Sequence, residues 1–108
     1  MEYQPLNQDE IRLVILLPRG RNDAIECRIV QSKISDKPDY EALSYEWGMA
    51  EPAQRIIMDG IDRHITPNLW SALYHLRLQE NERVLWIDAL CINQIDITER
   101  NHQVQLMG

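Results

Sequence analysis

Arg83-Val84-Leu85-Trp86-Ile87-Asp88-Ala89-Leu90-Cys91-Ile92-Asn93-Gln94-Ile95-Asp96-Ile97-Thr98-Glu99-Arg100-Asn101-His102-Gln103 changes character twice along its length. Its first five residues form a short apolar run that ends at an aspartate. Such a run reads as a central strand covered on both faces. Residues 88–94 then read as a tight polar loop. Asp96 opens a last helix, with Glu99 three residues on, so the two can form a capping box. Ile97, Val104 and Met107 are the expected buried edge of that helix, and Gly108 ends the chain about three turns into it.

The chain upstream supplies a partner for this strand–loop–helix unit. Residues 1–10 are a polar lead-in. Residues 11–17 are apolar and rich in β-branched side chains, a strand broken by Pro18-Arg19-Gly20. Residues 24–31 alternate, with Ile25, Cys27 and Ile29 on one face and Glu26 and Arg28 on the other, a half-buried strand. The two are expected to pair antiparallel through the polar loop 19–23. Residues 32–39 read as a loop, and residues 40–47 as a third strand closed by Gly48, where a side chain would block the turn. Two short strands, 55–58 and 61–65, flank Asp59-Gly60, the strongest local hairpin signal, with Ile56, Met58, Ile61 and Ile65 on one face. Thr66-Pro67 starts a helix by capping and by proline in the first turn. Leu69, Leu73 and Leu76 form its buried stripe, widened by Trp70 and Ala72, and its end is expected near Gln79. The order β-β-β-β-β-α-β-α predicts an α/β fold, with α+β as the alternative: a small mixed sheet with a hairpin and packed helices.

Composition limits the function classes. A chain of 108 residues supports one small domain. A net charge of −6 argues against general nucleic-acid binding. The longest apolar run, 13–17, is too short to span a bilayer, and the acidic start is unlike a signal peptide. Two cysteines without a secretion signal read as free thiols in a reducing compartment, so a cytosolic protein is expected. Cys27 and Cys91, with scattered histidines, match no metal-ligand spacing.

Three blocks resemble the fungal heterokaryon-incompatibility (HET) domain. Tyr40-Glu41-Ala42-Leu43-Ser44-Tyr45-Glu46-Trp47-Gly48 is similar to its opening motif. The Asp-Gly hairpin leading into Asn68-Leu69 and Ala72-Leu73 resembles its first helix. The segment from Leu85 to Gln94, followed by Asp96, Glu99-Arg100 and Gln103, is the most specific match. The resemblance covers residues 40–107, with the two-strand lead-in upstream, and implies a partial domain over 11–108. The family pattern continues past this end with a further strand and a Trp-Leu-Gly-like run.

The resemblance implies a signalling module of fungal self/non-self recognition that triggers programmed cell death, working through protein partners or self-association. The family is also distantly similar to Toll-type receptor (TIR) domains, some of which cleave NAD with a glutamate. An NAD-cleaving hydrolase is therefore the alternative function, with NAD as substrate and no resident cofactor. An inactive truncated fragment is the third reading.

Each candidate site residue has two readings. Glu99 is the first candidate catalytic carboxylate, by analogy with glycosidase chemistry, or it caps the helix with Asp96 and sits favourably near a helix N-terminus. Asp88 lies beyond a strand's C-terminal end, where α/β sheets bind ligands, or it bonds backbone N–H groups of its own loop. Cys91 is a nucleophile if His64, His75 or His102 reaches it, or a buried thiol. Asn93 and Gln94 bind a polar ligand or close their loop. Arg100 and Gln103 share the helix with Glu99 and, with Cys91, are further candidate ligand-binding residues. In the first block, Trp47 stacks on a ring or fills the core. Ser44, Trp47 and Gly48 form the expected ligand side of that block, with Glu46 as a second-choice carboxylate.

Overall fold

The computed structural model describes residues 5–20, 22–43, 52–92 and 97–107. Its centre is strand β1, Glu10–Leu16, in which residues 11–14 are buried without a break. Continuous burial means that both faces of the strand are covered. Strand β2, Glu26–Lys33, pairs antiparallel along the whole of β1, from Glu10 opposite Lys33 to Leu16 opposite Cys27. The expected antiparallel pair is thus present. Strand β2 is displaced two residues along the chain from the expected 24–31, because the start of β1 draws Ser32 and Lys33 into the ladder while residues 24 and 25 stay outside it. A single 3-10 turn, Ile34–Asp36, follows, closed by Lys37 at φ 49°.

Strand β3, Glu41–Leu43, is the described part of the expected third strand; its continuation lies outside the described residues. Strands β4, Gln54–Met58, and β5, Ile61–Ile65, form the expected hairpin. Asp59 and Gly60 both take positive φ, 52° and 79°, as a type I′ turn requires. Ile56, Met58 and Ile65 are buried on one face. Ile61 shares that face but is 52% exposed, because β5 is the outermost strand and Ile61 has only Met58 beside it.

Helix α1, Pro67–Leu76, begins as expected: the Leu69 N–H donates to the Thr66 hydroxyl at 3.2 Å. It stops three residues before the expected end. Arg77 turns into extended backbone, and its guanidinium donates to the carbonyls of Gly20, Asp23 and Ala24 in the β1–β2 loop. That clamp is a tertiary contact, which local propensity does not contain.

Strand β6, Arg83–Ile87, lies between β1, antiparallel, and β3, parallel. Its last three residues are all buried, as a two-sided central strand requires. Residues 88–91 form a short helix, α2, Asp88–Cys91, where a loop was expected. Leu90, Cys91 and Ile92 are buried, so a helical turn carries these apolar side chains into the core while the Ile92 N–H bonds the Asp88 carbonyl. Helix α3, Ile97–Met107, closes the described fold.

The sheet is mixed and six-stranded, in the order β3-β6-β1-β2-β4-β5, and the class is α/β as expected. Register puts Arg12, Val14 and Leu16 on one face with Cys27, Met58 and Leu85. The helices lie on this face. Arg83 donates to Leu76 O at the end of α1, and Arg12 bonds both α2 and α3.

The hairpin gives a direct test. A Cβ at Gly60 meets nothing within 4 Å, so any loss comes from the backbone alone. Gly60→Ala should cost about 1 kcal/mol in urea unfolding, and Gly60→Asn clearly less, because asparagine tolerates left-handed backbone. Equal losses would refute this account.

Candidate functional site

The site is organised by a residue inside the first apolar strand. Arg12 is 1% exposed. Its Nη1 donates to Glu99 Oε2 and its Nη2 to Glu99 Oε1, each at 2.8 Å. This two-pronged geometry is the strong form of a charge-assisted hydrogen bond. Nη1 also donates to the Cys91 carbonyl at 3.2 Å. One guanidinium therefore joins β1, the end of α2 and the first turn of α3. An arginine in that position must be paired, because an isolated buried charge costs several kcal/mol.

Helix α3 is fastened by further side chains on the same face. Glu99, His102 and Gln103 stand at helical spacings of three and four, which brings them to one side. Gln103 is fully buried and donates through Nε2 to Glu10 O at 3.0 Å. His102 Nε2 lies 2.6 Å from Gln8 O. A carbonyl only accepts, so Nε2 carries the ring proton there. A cavity of about 300 Å³ opens beside these contacts, lined by Leu6, Asn7, Thr98, Glu99, His102 and Gln103 among others.

The structure thus brings Glu99 and the Cys91 backbone together around Arg12, with Gln103 beside Glu99 on the cavity wall. Glu99 keeps 11% side-chain exposure, and both of its oxygens face the guanidinium. The capping box expected with Asp96 cannot be followed, because Asp96 lies outside the described residues. Asp88 is half-buried at the start of α2, just past the end of β6, and does not line the cavity beside Glu99. Arg100 is exposed. Ser44, Glu46, Trp47, Gly48, Asn93 and Gln94 lie outside the described residues.

Cys91 is fully buried, and its Sγ accepts the Ile87 N–H at 3.3 Å. Burial pushes its thiol up to about 12, against weaker lowering by that N–H and by the Arg12 charge. Burial likewise pushes Cys27 up to about 12. A nucleophilic cysteine needs the opposite shift. The two histidines with described ring contacts bond elsewhere, His102 to Gln8 O and His75 to Ser71 O. Both cysteines are free thiols. Among the described residues no group of His, Cys, Asp and Glu could hold a metal ion. No described helix is long and apolar enough to cross a membrane.

Arg12 was not singled out by the pattern reading, although a signal was there. It is the one charge in the run 11–17, and a strand buried on both faces leaves such a charge nowhere to go but to a partner. The contact of His102 with the lead-in carries no sequence signature.

A small mixed sheet with its helices pinned on one face by a buried arginine–glutamate pair is the class of domain that fold and site define. Residues 40–108 match the family model described as "Heterokaryon incompatibility protein (HET)". The chain is also 39% identical over 111 residues to "Heterokaryon incompatibility protein 6, OR allele" from Neurospora crassa, a match covering 90% of this chain. The chain belongs to the heterokaryon-incompatibility (HET) family. It spans 16% of the length of that relative. No solved structure matches significantly.

Two outcomes follow from the buried groups. Glu99→Ala should lose about 3–5 kcal/mol in urea unfolding, because it strands a buried guanidinium, whereas Arg12→Met combined with Glu99→Leu should lose much less. A double variant as unstable as the single one would contradict this. The thiols act at high pH. Their folded values lie above the unfolded value of 9.0, so the folded state keeps protons that the unfolded state releases. Stability should be unaffected below pH 9 and fall between 9 and 12, by about 1.4 kcal/mol per pH unit for each thiol. Cys27→Ala should shallow that slope in pH-dependent unfolding.

Proposed function

We propose that this chain is part of a signalling module in fungal heterokaryon incompatibility. In this reading it acts by protein contact, with programmed cell death as its output. Family membership supports the incompatibility role, and the relative's name points the same way. Self/non-self recognition and death signalling are the finer part of the proposal. A cytosolic setting agrees with two free cysteines.

One observation favours signalling over NAD cleavage through Glu99. Carboxylate-assisted cleavage at a sugar needs an oxygen facing the reacting carbon or its water. Both Glu99 oxygens are held at 2.8 Å by Arg12, on a side chain that is nearly buried. Freeing the carboxylate would leave the arginine charge in the core, which opposes the motion by several kcal/mol. The pair therefore suits a structural tether better than a catalytic acid or base. Asp88 remains the carboxylate on which an NAD-cleaving alternative would rest.

The test separates these readings in cells. The chain is fused to a chemically induced dimeriser and expressed in a filamentous fungus, and NAD is followed alongside viability. Clustering should kill while NAD stays at its resting level until membranes fail, and Asp88→Asn should kill equally well. NAD loss that precedes death and disappears with Asp88→Asn would replace signalling by hydrolysis. Survival after clustering would remove the signalling reading for this chain.

A further inference from the structure

We propose that the ridge around Leu78 is a self-complementary interface through which two copies of this chain pair about a two-fold axis. Leu78 is one of two large hydrophobic side chains that are strongly exposed among the described residues, at 40%. It follows Arg77, whose backbone leaves α1 in an extended conformation, and it lines a different hollow from Arg77 and Gln79. Arg77 and Gln79 line one cleft, of about 450 Å³, together with Arg19, Tyr74 and His75. Leu78 lines a second cleft, of about 630 Å³, together with Asp39, Glu41 and Glu82. The ridge carrying Leu78 thus divides two neighbouring hollows.

The hollows have opposite charge. The first is lined by two guanidiniums and an imidazole, and no carboxylate is among its described lining residues. Arg19 is paired to Glu26 from outside the cleft, and Arg77 is held rigid by the carbonyls of Gly20, Asp23 and Ala24. The second hollow carries three carboxylates and one arginine, Arg83, which pairs with Glu41. Glu82 is 52% exposed, and its contact with Arg28, 3.4 Å between exposed groups, is the weak kind of surface pair. A basic cleft is unusual on a chain of net charge −6.

Two-fold symmetry turns this juxtaposition into a binding mode. In such an interface residue i meets j and j meets i, so each copy's basic cleft meets the other's acidic cleft. The two Leu78 side chains then meet near the axis and leave water. The rim also carries the side-chain types favoured at energetically important contacts: Tyr74 is stacked on Trp70 at 5.3 Å, and the Arg77 guanidinium lies 5.7 Å from the Tyr74 ring centre. A rigid rim loses little entropy on association.

The inference deepens the signalling reading, which gives pairing a purpose. Its test is made in solution, so its failure leaves the cell experiment standing and the reverse also holds. The full chain is followed by sedimentation equilibrium from micromolar to millimolar concentration, with circular dichroism confirming that each variant is folded. A monomer–dimer equilibrium is expected, weakened by raising salt from 50 to 500 mM. Leu78→Asp, His75→Glu and Glu82→Lys should each weaken it at least tenfold. Mixing His75→Glu with Glu82→Lys should restore association, because in the mixed dimer both charge contacts are again opposite in sign. A chain that stays monomeric, a dimer indifferent to these variants, or a mixture no tighter than its parts would overturn the proposal.

Discussion

The guanidinium of Arg12 is a buried charge in the middle of the sheet, and the fold tolerates it there because the Glu99 carboxylate is paired with it. That pairing ties together elements far apart in the chain. Glu99 belongs to α3 and Cys91, whose carbonyl takes a further hydrogen bond, ends α2. A bidentate pair fixes direction as well as distance, so the first turn of α3 has one way to lie across β1. The pair is not a net source of stability in the way an apolar contact is, since desolvating two charges opposes much of their attraction. What it supplies is a penalty on every arrangement in which the helix sits elsewhere.

The same logic recurs at the other end of the helical layer. Arg83 bonds the last turn of α1 through Leu76 O and pairs with Glu41 on β3, and its hydrogen bond holds the Glu41 carboxyl below the usual range. Arg77 ends α1 by gripping three carbonyls of the β1–β2 loop. Three arginines thus set where helices stop or dock. Leucine, isoleucine and the two buried cysteines fill the space between. In this small fold the polar contacts specify and the apolar contacts stabilise. This matters for function, because the segment that identifies the family is rich in polar residues with structural work available. Glu99 is committed to Arg12, Gln103 to the β1 backbone, and the Cys91 thiol to the Ile87 N–H.

Much of the fold was legible from pattern. The two-residue alternation of β2, the Asp-Gly turn, the Thr-Pro helix start and the two-sided apolar run of β6 each depend on contacts a few residues apart or on a simple period. The expectations that moved share a different dependence. Helix α1 ends at Leu76 because Arg77 finds a loop more than fifty residues upstream. Residues 88–91 coil because Leu90 and Cys91 have a core to enter. Ile61 has the right face but the wrong strand position, since which strand becomes the edge is a property of the whole sheet.

The site divides along the same line. Local order in the chain was enough to place Glu99 in the first turn of a helix, Cys91 next to a strand end, and Gln103 one turn after Glu99. It also contained the oddity of an arginine in an apolar strand. It did not contain the pairing of Arg12 with Glu99, because 87 residues separate them and no period or spacing relates their positions. Strand order brings β1 beneath the helices, and burial then makes the charge match obligatory. Sequence sets which groups are present and which local shapes they take; which carboxylate answers which cation is settled when the sheet closes and water leaves.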